Sequence, residues 1–327
     1  MLVTMGFNKY LRGFRKSAVF ALTTQCNCKC IMCNIHRKSP EHISFEDAKK
    51  ILDFLYKNKF LLVYFTGGEP TLYPNIVELV QYANRLGLIT TMTTNGTASK
   101  TLLKALKDAD LSLLSVSLDH WDEDVCSQIR GRKGIKSEQV NTIRYAKSIG
   151  LRTYALAFLN NFLLRDGVGR LIRDVNEELG VPFGFCYPTT CDDNTYSLSG
   201  ISNRVLHEDL EIAIRTIFSL RRRYEIANDG LYIEDVLRSF KKEPPNFFCR
   251  GGQDVVYVDW LGDVYPCFHK SKLFNALKDK KYFFLESVRC NDCFINCFRE
   301  PSLITQLTSP SILLKESLYH SSRRVLI

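Results

Sequence analysis

The chain has 327 residues, of which 45% are hydrophobic and 24% charged, a composition typical of a globular protein with a large core. No apolar run reaches the ~18 residues that a membrane-spanning helix needs, and no signal peptide is evident, so we expect a cytoplasmic protein. The net charge of +9 favours anionic partners, but no zinc-finger, helix-turn-helix or RNA-binding aromatic motif indicates nucleic acid.

Residues 1–17 form the first predicted unit, an N-terminal amphipathic segment. Phe7, Tyr10, Leu11 and Phe14 recur at helical spacing, with lysines and arginines between them. Such a helix either packs on its own domain or lies on a membrane surface, and both interpretations remain open. In the second case the protein would be peripheral at the membrane.

Residues 18–225 alternate between strand-like and helix-like runs, which predicts a parallel sheet with right-handed crossovers. We expect an α/β fold, a partial (β/α)6 TIM-like barrel, with its chemistry at the carboxyl ends of the strands. The predicted strands are residues 18–23, 60–66, 88–93, 111–118, 152–159 and 182–187. The predicted helices are residues 44–57, 75–86, 98–108, 122–130, 137–149 and 168–179.

A small cysteine-rich C-terminal domain is predicted over residues 226–327. Residues 188–205 are polar and indicate a loop, and a helix that ends near Tyr224 follows it. Pro244 and Pro245 then mark a boundary. Residues 255–266 predict a hairpin that turns at Gly262.

Three cysteines follow the first predicted strand in the pattern C-x3-C-x2-C. Cys26, Cys30 and Cys33 can bind three irons of a cubic [4Fe–4S] cluster, which leaves the fourth iron open to a small molecule. Zinc with His36 as the fourth ligand fits the spacing equally well. The spacing alone therefore predicts a metal centre without identifying the metal.

Polar motifs follow the next predicted strands. Gly67–Pro70 places two glycines and a carboxylate after the second strand, where a ligand can approach the backbone closely. Asn95 follows the third strand, and Ser117 and Asp119 end the fourth. Because the carboxyl ends of parallel strands share one edge, we expect these residues to lie near the cysteine loop.

The cysteine loop and the Gly-Gly-Glu-Pro motif together resemble the signature of the radical S-adenosylmethionine (SAM) enzymes. In that family, SAM binds the open iron and is cleaved by one electron to a 5′-deoxyadenosyl radical, which removes a hydrogen atom from the substrate. Cys28 lies off the family pattern, and we treat it as a bystander. The resemblance implies cofactor contacts from Met32, Gly67, Gly68, Glu69, Pro70, Asn95, Ser117, Asp119 and Arg130.

A second cysteine group lies in the last third of the chain. Its spacing around Gly262 resembles the SPASM and twitch extensions of radical SAM enzymes, and the resemblance implies one auxiliary [4Fe–4S] cluster. Cys249, Cys267, Cys290 and Cys293 are then the expected ligands. Cys297 could replace either of the last two or be a free thiol, and structural zinc held by four of the five remains an alternative.

Two further cysteines are predicted near the mouth of the barrel. Cys186 lies on the sixth strand and Cys191 in the loop after it. Either could donate a hydrogen atom to a product radical, although cysteine is also a common buried apolar residue. They are the only candidates for a catalytic side chain beyond the cluster.

The resemblance implies a radical SAM oxidoreductase or transferase. An acidic electron donor such as ferredoxin or flavodoxin would suit the positive net charge. The substrate remains open between a small molecule, a peptide and, with the amphipathic segment on a membrane, a lipid. A non-enzymatic iron–sulfur or zinc protein would explain the cysteines but not the motifs at the strand ends.

Overall fold

A computed structural model describes residues 13–189, 206–279 and 283–306. The strands are β1 (Lys16–Ala21), β2 (Phe60–Thr66), β3 (Ile89–Thr94), β4 (Leu113–Ser117), β5 (Thr153–Phe158), β6 (Phe183–Cys186), β7 (Val255–Val258), β8 (Asp263–Tyr265) and β9 (Phe274–Asn275). The helices are α1 (Phe45–Lys57), α2 (Ile76–Leu86), α3 (Lys100–Asp108), α4 (Glu123–Arg130), α5 (Ile135–Ser148), α6 (Asn161–Asp166), α7 (Val168–Asp174), α8 (His207–Leu220), α9 (Gly230–Phe240) and α10 (Asn296–Gln306).

The strands of the described residues form one sheet in the order β6-β5-β4-β3-β2-β1-β7-β8-β9. Strands β1 to β6 are parallel neighbours in chain order, which confirms the predicted partial barrel. On its other side β1 pairs in parallel with β7, where Ser17 lies opposite Val255. Strands β7 and β8 pair antiparallel, so the predicted hairpin is also confirmed.

The helices cover the sheet because each buries one apolar face. In α1 the buried residues Ala48, Ile51 and Leu55 recur at helical spacing, and the hydroxyl of Ser44 accepts a hydrogen bond from the Asp47 amide (3.1 Å) to begin the helix. Their side chains join Phe20 of β1 in one continuous core. The sheet is therefore buried, and its carboxyl-end loops are left to form a site.

Some helices differ from the predictions. The predicted helix at residues 168–179 is α7 followed by one wider turn, Val175–Leu179. Helices α6 and α9 were not predicted, although each begins at a capping side chain, Asn160 and Asp229 respectively. Helix α6 has only six residues, too few to show a helical period.

Several predictions fall on residues that the structure does not describe. These include most of the amphipathic segment and the whole of residues 190–205, which contain Cys191. Phe14, at the end of that segment, is buried against Tyr56. Among the described residues, we find no helix with the length and apolar character needed to cross a membrane.

Candidate active site and cysteine centres

The cysteine loop follows β1 and is held by backbone hydrogen bonds to the end of α4. The amides of Lys29 and Ile31 donate to the carbonyls of Arg130 and Ile129, each at 2.9 Å. Gly131 then turns the chain in the left-handed region, with φ of 61°, and a Cβ there would overlap the carbonyl of Lys29. The loop and the end of α4 thus fit together as two closely packed backbones.

Arg130 brings a positive charge to this loop. Its Nε forms an ion pair with the fully buried Asp119, and its Nη1 lies 3.8 Å from Cys30 Sγ. The other oxygen of Asp119 accepts a hydrogen bond from the Phe158 amide (2.8 Å). Asp119 therefore orients Arg130 towards the cysteines from behind.

Glu69 is the acceptor at the centre of the neighbouring strand ends. Its carboxylate is 1% exposed and accepts hydrogen bonds from the Thr71 amide and hydroxyl (3.1 and 2.6 Å), the Thr94 hydroxyl (2.8 Å) and the Asn95 amide (2.6 Å). Burial raises the pKa of Glu69, and the hydrogen bonds act in the opposite direction. The carboxylate ties the loops after β2 and β3 together.

The two glycines before Glu69 bring this motif against the cysteine loop. The Gly68 amide donates to the Thr23 carbonyl at 2.6 Å, and the Glu69 amide donates to the Gln25 carbonyl at 2.8 Å. A Cβ on Gly68 would overlap the Gln25 carbonyl. Only glycine permits this approach, which places Glu69 beside Cys26.

Asn95 completes the link from the third strand to the cysteine loop. Its side-chain amide donates to Asn27 Oδ1 (2.7 Å) and points to Cys26 Sγ (3.9 Å). The side-chain oxygen accepts from the Thr97 amide (3.1 Å), so both ends of the amide are engaged. Asn95 thus connects the predicted strand-end motif with the predicted metal ligands.

The thiols of the loop have different pKa values. Burial raises the pKa of Cys26 to about 11 and that of Cys33 to about 12. A hydrogen bond from Cys28 lowers the pKa of Cys30 to about 7, with Arg130 acting in the same direction. Cys28, treated as a bystander from the sequence, is therefore a hydrogen-bond partner of a predicted ligand. Its spacing in the chain offered no signal of this.

A cavity of about 230 Å³ opens between the cysteine loop and the C-terminal region. It brings together most of the predicted site residues: Cys26, Cys30, Met32, Cys33, Gly67, Gly68, Glu69, Asn95, Ser117, Arg130, Cys186 and Cys297. Pro70 and Asp119 do not line it, since Pro70 begins the turn Pro70–Leu72 and Asp119 lies behind Arg130. Tyr187 also lines the cavity.

A cluster of three hydroxyl-bearing side chains near the cavity was not predicted. The Tyr64 hydroxyl on β2 contacts the hydroxyls of Thr93 and Ser115 on the next two strands, and Thr93 and Ser115 are 2.5 Å apart. Burial raises the pKa of Tyr64 to about 12. In the sequence, Tyr64 lies inside an apolar strand and reads as core, so no signal separated it from its neighbours.

The second cysteine group lies at the β7–β8 hairpin. Cys249 and Cys290 form a two-way backbone bridge, with N–O distances of 2.9 and 3.1 Å. Cys267 follows β8 and its Sγ accepts from the His269 amide (3.4 Å). Cys293 and Cys297 pack on the same small apolar cluster as Cys249, Cys267 and Cys290. The four predicted ligands and Cys297, the possible replacement, are thus brought to one place.

At each place the donor chemistry, a set of thiols, suits an iron–sulfur cluster, while the described residues contain no group of three or more His, Cys, Asp or Glu side chains arranged to hold a single metal ion. Soft thiolates are the ligands that such clusters use, and both groups of cysteines are partly shielded from solvent. Asn95, Arg130 and backbone amides point at the sulfurs, which is the kind of hydrogen bonding that stabilises a negatively charged cluster.

In comparison with known proteins, a family model described as the Radical SAM superfamily matches residues 20–166. The chain is 30% identical over 200 residues to Fe-coproporphyrin III synthase of Methanosarcina barkeri, covering 59% of this chain and 47% of that protein. It is 31% identical over 275 residues to the antilisterial bacteriocin subtilosin biosynthesis protein AlbA of Bacillus subtilis, covering 81% and 57%. The chain therefore spans about half the length of these relatives.

Among solved structures, Streptococcus suis SuiB has a similar fold. The SuiB structure bound to S-adenosylmethionine superimposes with a TM-score of 0.66 at 20% identity, covering 82% of this chain and 64% of SuiB. The SuiB structure bound to the precursor peptide SuiA gives a TM-score of 0.65, also at 20% identity, covering 85% and 66%. At this level of identity the likeness concerns the fold.

Proposed function

Because the chain belongs to the radical SAM superfamily, we propose that it is an enzyme that cleaves SAM reductively and uses the resulting radical to abstract a hydrogen atom from its substrate. One observation carries the proposal: three thiols in the family spacing, the Glu69 carboxylate and Asn95 meet in a single cavity. The reaction class is that of an oxidoreductase or transferase.

In this proposal Cys26, Cys30 and Cys33 hold a [4Fe–4S] cluster that leaves one iron for SAM. When bound, the cluster supplies the electron for SAM cleavage. The chain's own residues bind and orient. Gly67, Gly68 and Glu69 present backbone and a carboxylate to the SAM amino group, and Met32 supports the adenine. Asn95, Ser117 and Arg130 complete the cofactor site. Asp119 and Pro70 act from outside the cavity, Asp119 by holding Arg130 and Pro70 by beginning the turn after Glu69.

Arg130 and Asp119 act together in this scheme. The positive guanidinium lies near Cys30 and stabilises a thiolate there, while the buried carboxylate holds the guanidinium in place. The apolar wall of the cavity keeps water from the radical, which would otherwise react with any available hydrogen donor. Positioning and exclusion of water are therefore the protein's contributions.

We further propose that the C-terminal cysteines hold an auxiliary [4Fe–4S] cluster. The support is that Cys249, Cys267, Cys290 and Cys293 lie together at the β7–β8 hairpin. Such a cluster makes electron transfer from a substrate radical available. Structural zinc at the same four thiols is the rival assignment. In this proposal the chain has three units: an N-terminal segment at residues 1–17, the radical SAM core at 18–225 and the C-terminal domain at 226–327.

A peptide or small molecule is the substrate class that we propose. Relatives by sequence include a synthase of a porphyrin and a bacteriocin biosynthesis protein, and a structural relative binds a precursor peptide. An acidic ferredoxin or flavodoxin as electron donor suits the net charge of +9. We place the protein in the cytoplasm, where thiols stay reduced for cluster assembly.

The direct test is 5′-deoxyadenosine formation from SAM by the anaerobically reconstituted protein with dithionite. We expect the wild type to form it and Cys30→Ala to form none. Ser219→Ala is the control, because Ser219 is exposed on α8 and does not line the cavity. Product formation by Cys30→Ala would disprove the assignment of the catalytic loop.

The auxiliary cluster is tested in a variant with Cys26, Cys30 and Cys33 all changed to alanine. About four irons with matching sulfide should remain after reconstitution, with the Mössbauer spectrum of a cubic cluster. Zinc in place of iron would establish the rival assignment, and absence of both metals would remove the centre from the proposal.

A further inference from the structure

Helix α10 lies between the active-site cavity and the C-terminal cysteine group. Asn296 and Cys297 in its first turn line the cavity. Further along the helix, Arg299 Nη1 donates to the Cys293 carbonyl (3.5 Å), and Ser302 Oγ lies 4.0 Å from Cys249 Sγ. One face of the helix therefore serves the cavity and the other serves the cysteine group.

The cysteines of this region differ in their access to the cavity. All five, Cys249, Cys267, Cys290, Cys293 and Cys297, pack on one small apolar cluster. Of these five, Cys297 lines the cavity, and the other four do not. Cys297 therefore faces the barrel as well as the cysteine group.

The cavity lining includes an uncharged, largely apolar set of residues. Leu156, Phe158, Phe268 and Ile295 belong to it with Tyr187 and Cys186, and the polar lining residues adjoining them in the chain, Thr189 and Asn296, carry no charge. The charged residues that line the described part of the cavity, Glu69 and Arg130, lie at its other end by the cysteine loop. A charged group brought against the apolar wall would lose its hydration without gaining a partner.

We propose that Cys297 is a substrate-facing thiol rather than a cluster ligand, on the wall of a binding site for an uncharged, largely apolar group of the substrate. The inference rests on the proposed function, since it names the occupant of the same cavity. A sulfur atom is soft and polarisable and packs well against aromatic or aliphatic groups. The reacting part of the substrate is then an apolar side chain or ring rather than a carboxylate, phosphate or amine.

The ligand question is tested by iron content in full-length reconstituted variants. Cys297→Ala should keep about eight irons, four for each cubic cluster, whereas the matched control Cys293→Ala should keep about four. Cys297→Ser serves if the alanine variant does not fold. A fall in Cys297→Ala or Cys297→Ser to the Cys293→Ala level would make Cys297 a ligand and overturn the proposal.

The character of the site is tested by alkylation of reconstituted wild type, with mass spectrometry to quantify labelling at Cys297. Neutral iodoacetamide should exceed anionic iodoacetate at least tenfold in rate, after each rate is divided by that for an unstructured cysteine peptide. An equal or reversed ratio would overturn the apolar site. Neither readout requires turnover, so absence of 5′-deoxyadenosine would count against the proposed function and leave these results standing.

Discussion

Glu69 shows how one side chain organises several loops. Its buried carboxylate accepts hydrogen bonds from Thr71, Thr94 and Asn95, so it connects the loops after two adjacent strands before any ligand is present. The family resemblance implies that Glu69 meets the SAM amino group. The geometry adds a structural role, because a buried acceptor with several donors cannot be removed without leaving them unsatisfied.

Glu69→Ala should therefore lower the free energy of unfolding as well as SAM binding. We expect a loss of about 3 kcal/mol, because the donors of Thr71, Thr94 and Asn95 lose a buried acceptor. Urea unfolding of the reconstituted protein measures it. Glu78→Ala, at an exposed carboxylate on α2, is the control and should change stability by less than about 0.5 kcal/mol. Equal effects of the two variants would contradict the structural role.

At this scale the sequence predicted residues that stand in a recognisable spacing. Cys26, Cys30 and Cys33 and the Gly67–Pro70 motif were found in this way, and they line or adjoin one cavity. Tyr64 was not found, because its partners Thr93 and Ser115 are 29 and 51 residues away and become neighbours only through strand pairing. Contacts across strands leave no local pattern in the chain.

At the scale of an element, the end of α4 also depends on contacts with residues far away in the chain. Its carbonyls accept from the amides of the cysteine loop, and Gly131 lets the following backbone pass beneath Lys29. Gly134, three residues later, has a similar left-handed conformation, with φ of 75° against 61°, but lies in open space. Substitutions at Gly131 and Gly134 therefore distinguish the effect of backbone strain from that of steric contact.

Gly131→Ala should lose cluster iron, and Gly134→Ala should keep it. Both variants incur the cost of the left-handed conformation, about 1 kcal/mol, but only Gly131→Ala pushes a methyl group into the Lys29 carbonyl. Iron per chain after reconstitution and the thermal midpoint of each variant measure the difference. If both variants lose iron to the same extent, strain rather than contact is responsible.

Helices α9 and α10 are joined by a buried ion pair. Asp235 and Arg299 are 0% and 1% exposed, and Arg299 also donates to the Phe247 carbonyl (3.2 Å). Phe247 and Cys293 lie on the two segments that carry Cys249 and Cys290. The pair therefore fixes the frame of the cysteine group, and breaking it leaves a charge in a medium that cannot solvate it.

Asp235→Ala should destabilise the protein by about 3–5 kcal/mol, because Arg299 is left unpaired and buried. Urea unfolding and iron content measure the effect. Asp235→Ala combined with Arg299→Met should be less destabilised than Asp235→Ala alone. Glu211→Ala, which removes a solvent-accessible pair with Arg215, should cost less than about 1 kcal/mol. A cost no larger for Asp235→Ala than for this control would refute the role of the pair.

Element types were predictable where apolar periodicity continued for several turns. The six strands of the barrel and the helices α1 to α5 agree with prediction to within a few residues, because each buries one continuous face. Helix α6 has only six residues, and α9 begins at its capping residue Asp229 after a short non-helical stretch. For such elements, the capping residues Asn160 and Asp229 are the main signal, and they also occur in ordinary turns.

At the scale of the whole molecule, Glu300 connects α10 to the β6 edge of the barrel. Its carboxylate accepts from Asn228 Nδ2 (3.2 Å) and from the Asp229 amide (2.8 Å), and Asn228 exchanges hydrogen bonds with Phe185 of β6 (2.7 and 3.1 Å). Burial raises the pKa of Glu300 to about 8 from its usual 4.5. The contact that joins the two ends of the fold is therefore sensitive to pH.

The wild type should lose stability relative to Glu300→Gln as pH rises. The folded protein keeps a proton that the unfolded chain releases near pH 4.5, so stability falls between about 4.5 and 8, and Gln removes this loss. Thermal midpoints from pH 5.5 to 8.5 should show the difference growing in favour of Glu300→Gln. The exposed-site control Glu178→Gln should show a constant difference, and a constant difference for Glu300→Gln would contradict the raised pKa.

The sheet order was only partly predictable. Strands joined by helices are expected to be neighbours, which gave the order from β1 to β6. The pairing of β7 with β1 was not predicted, because a hairpin after a long connection can pack at either edge or on neither. The position of this hairpin decides where the second cysteine group adjoins the cavity. The sequence alone therefore did not predict that the two sites are neighbours.

The central place of β1 has a consequence for synthesis. Strand β2 is available to pair with β1 soon after it, but β7 begins at Val255, so one edge of β1 lacks this partner while most of the chain is made. Long-range pairing of this kind slows folding and leaves an edge open to association with other chains. A nascent chain arrested before residue 255 would therefore be prone to aggregate, and the C-terminal region protects the barrel as well as furnishing its second set of thiols.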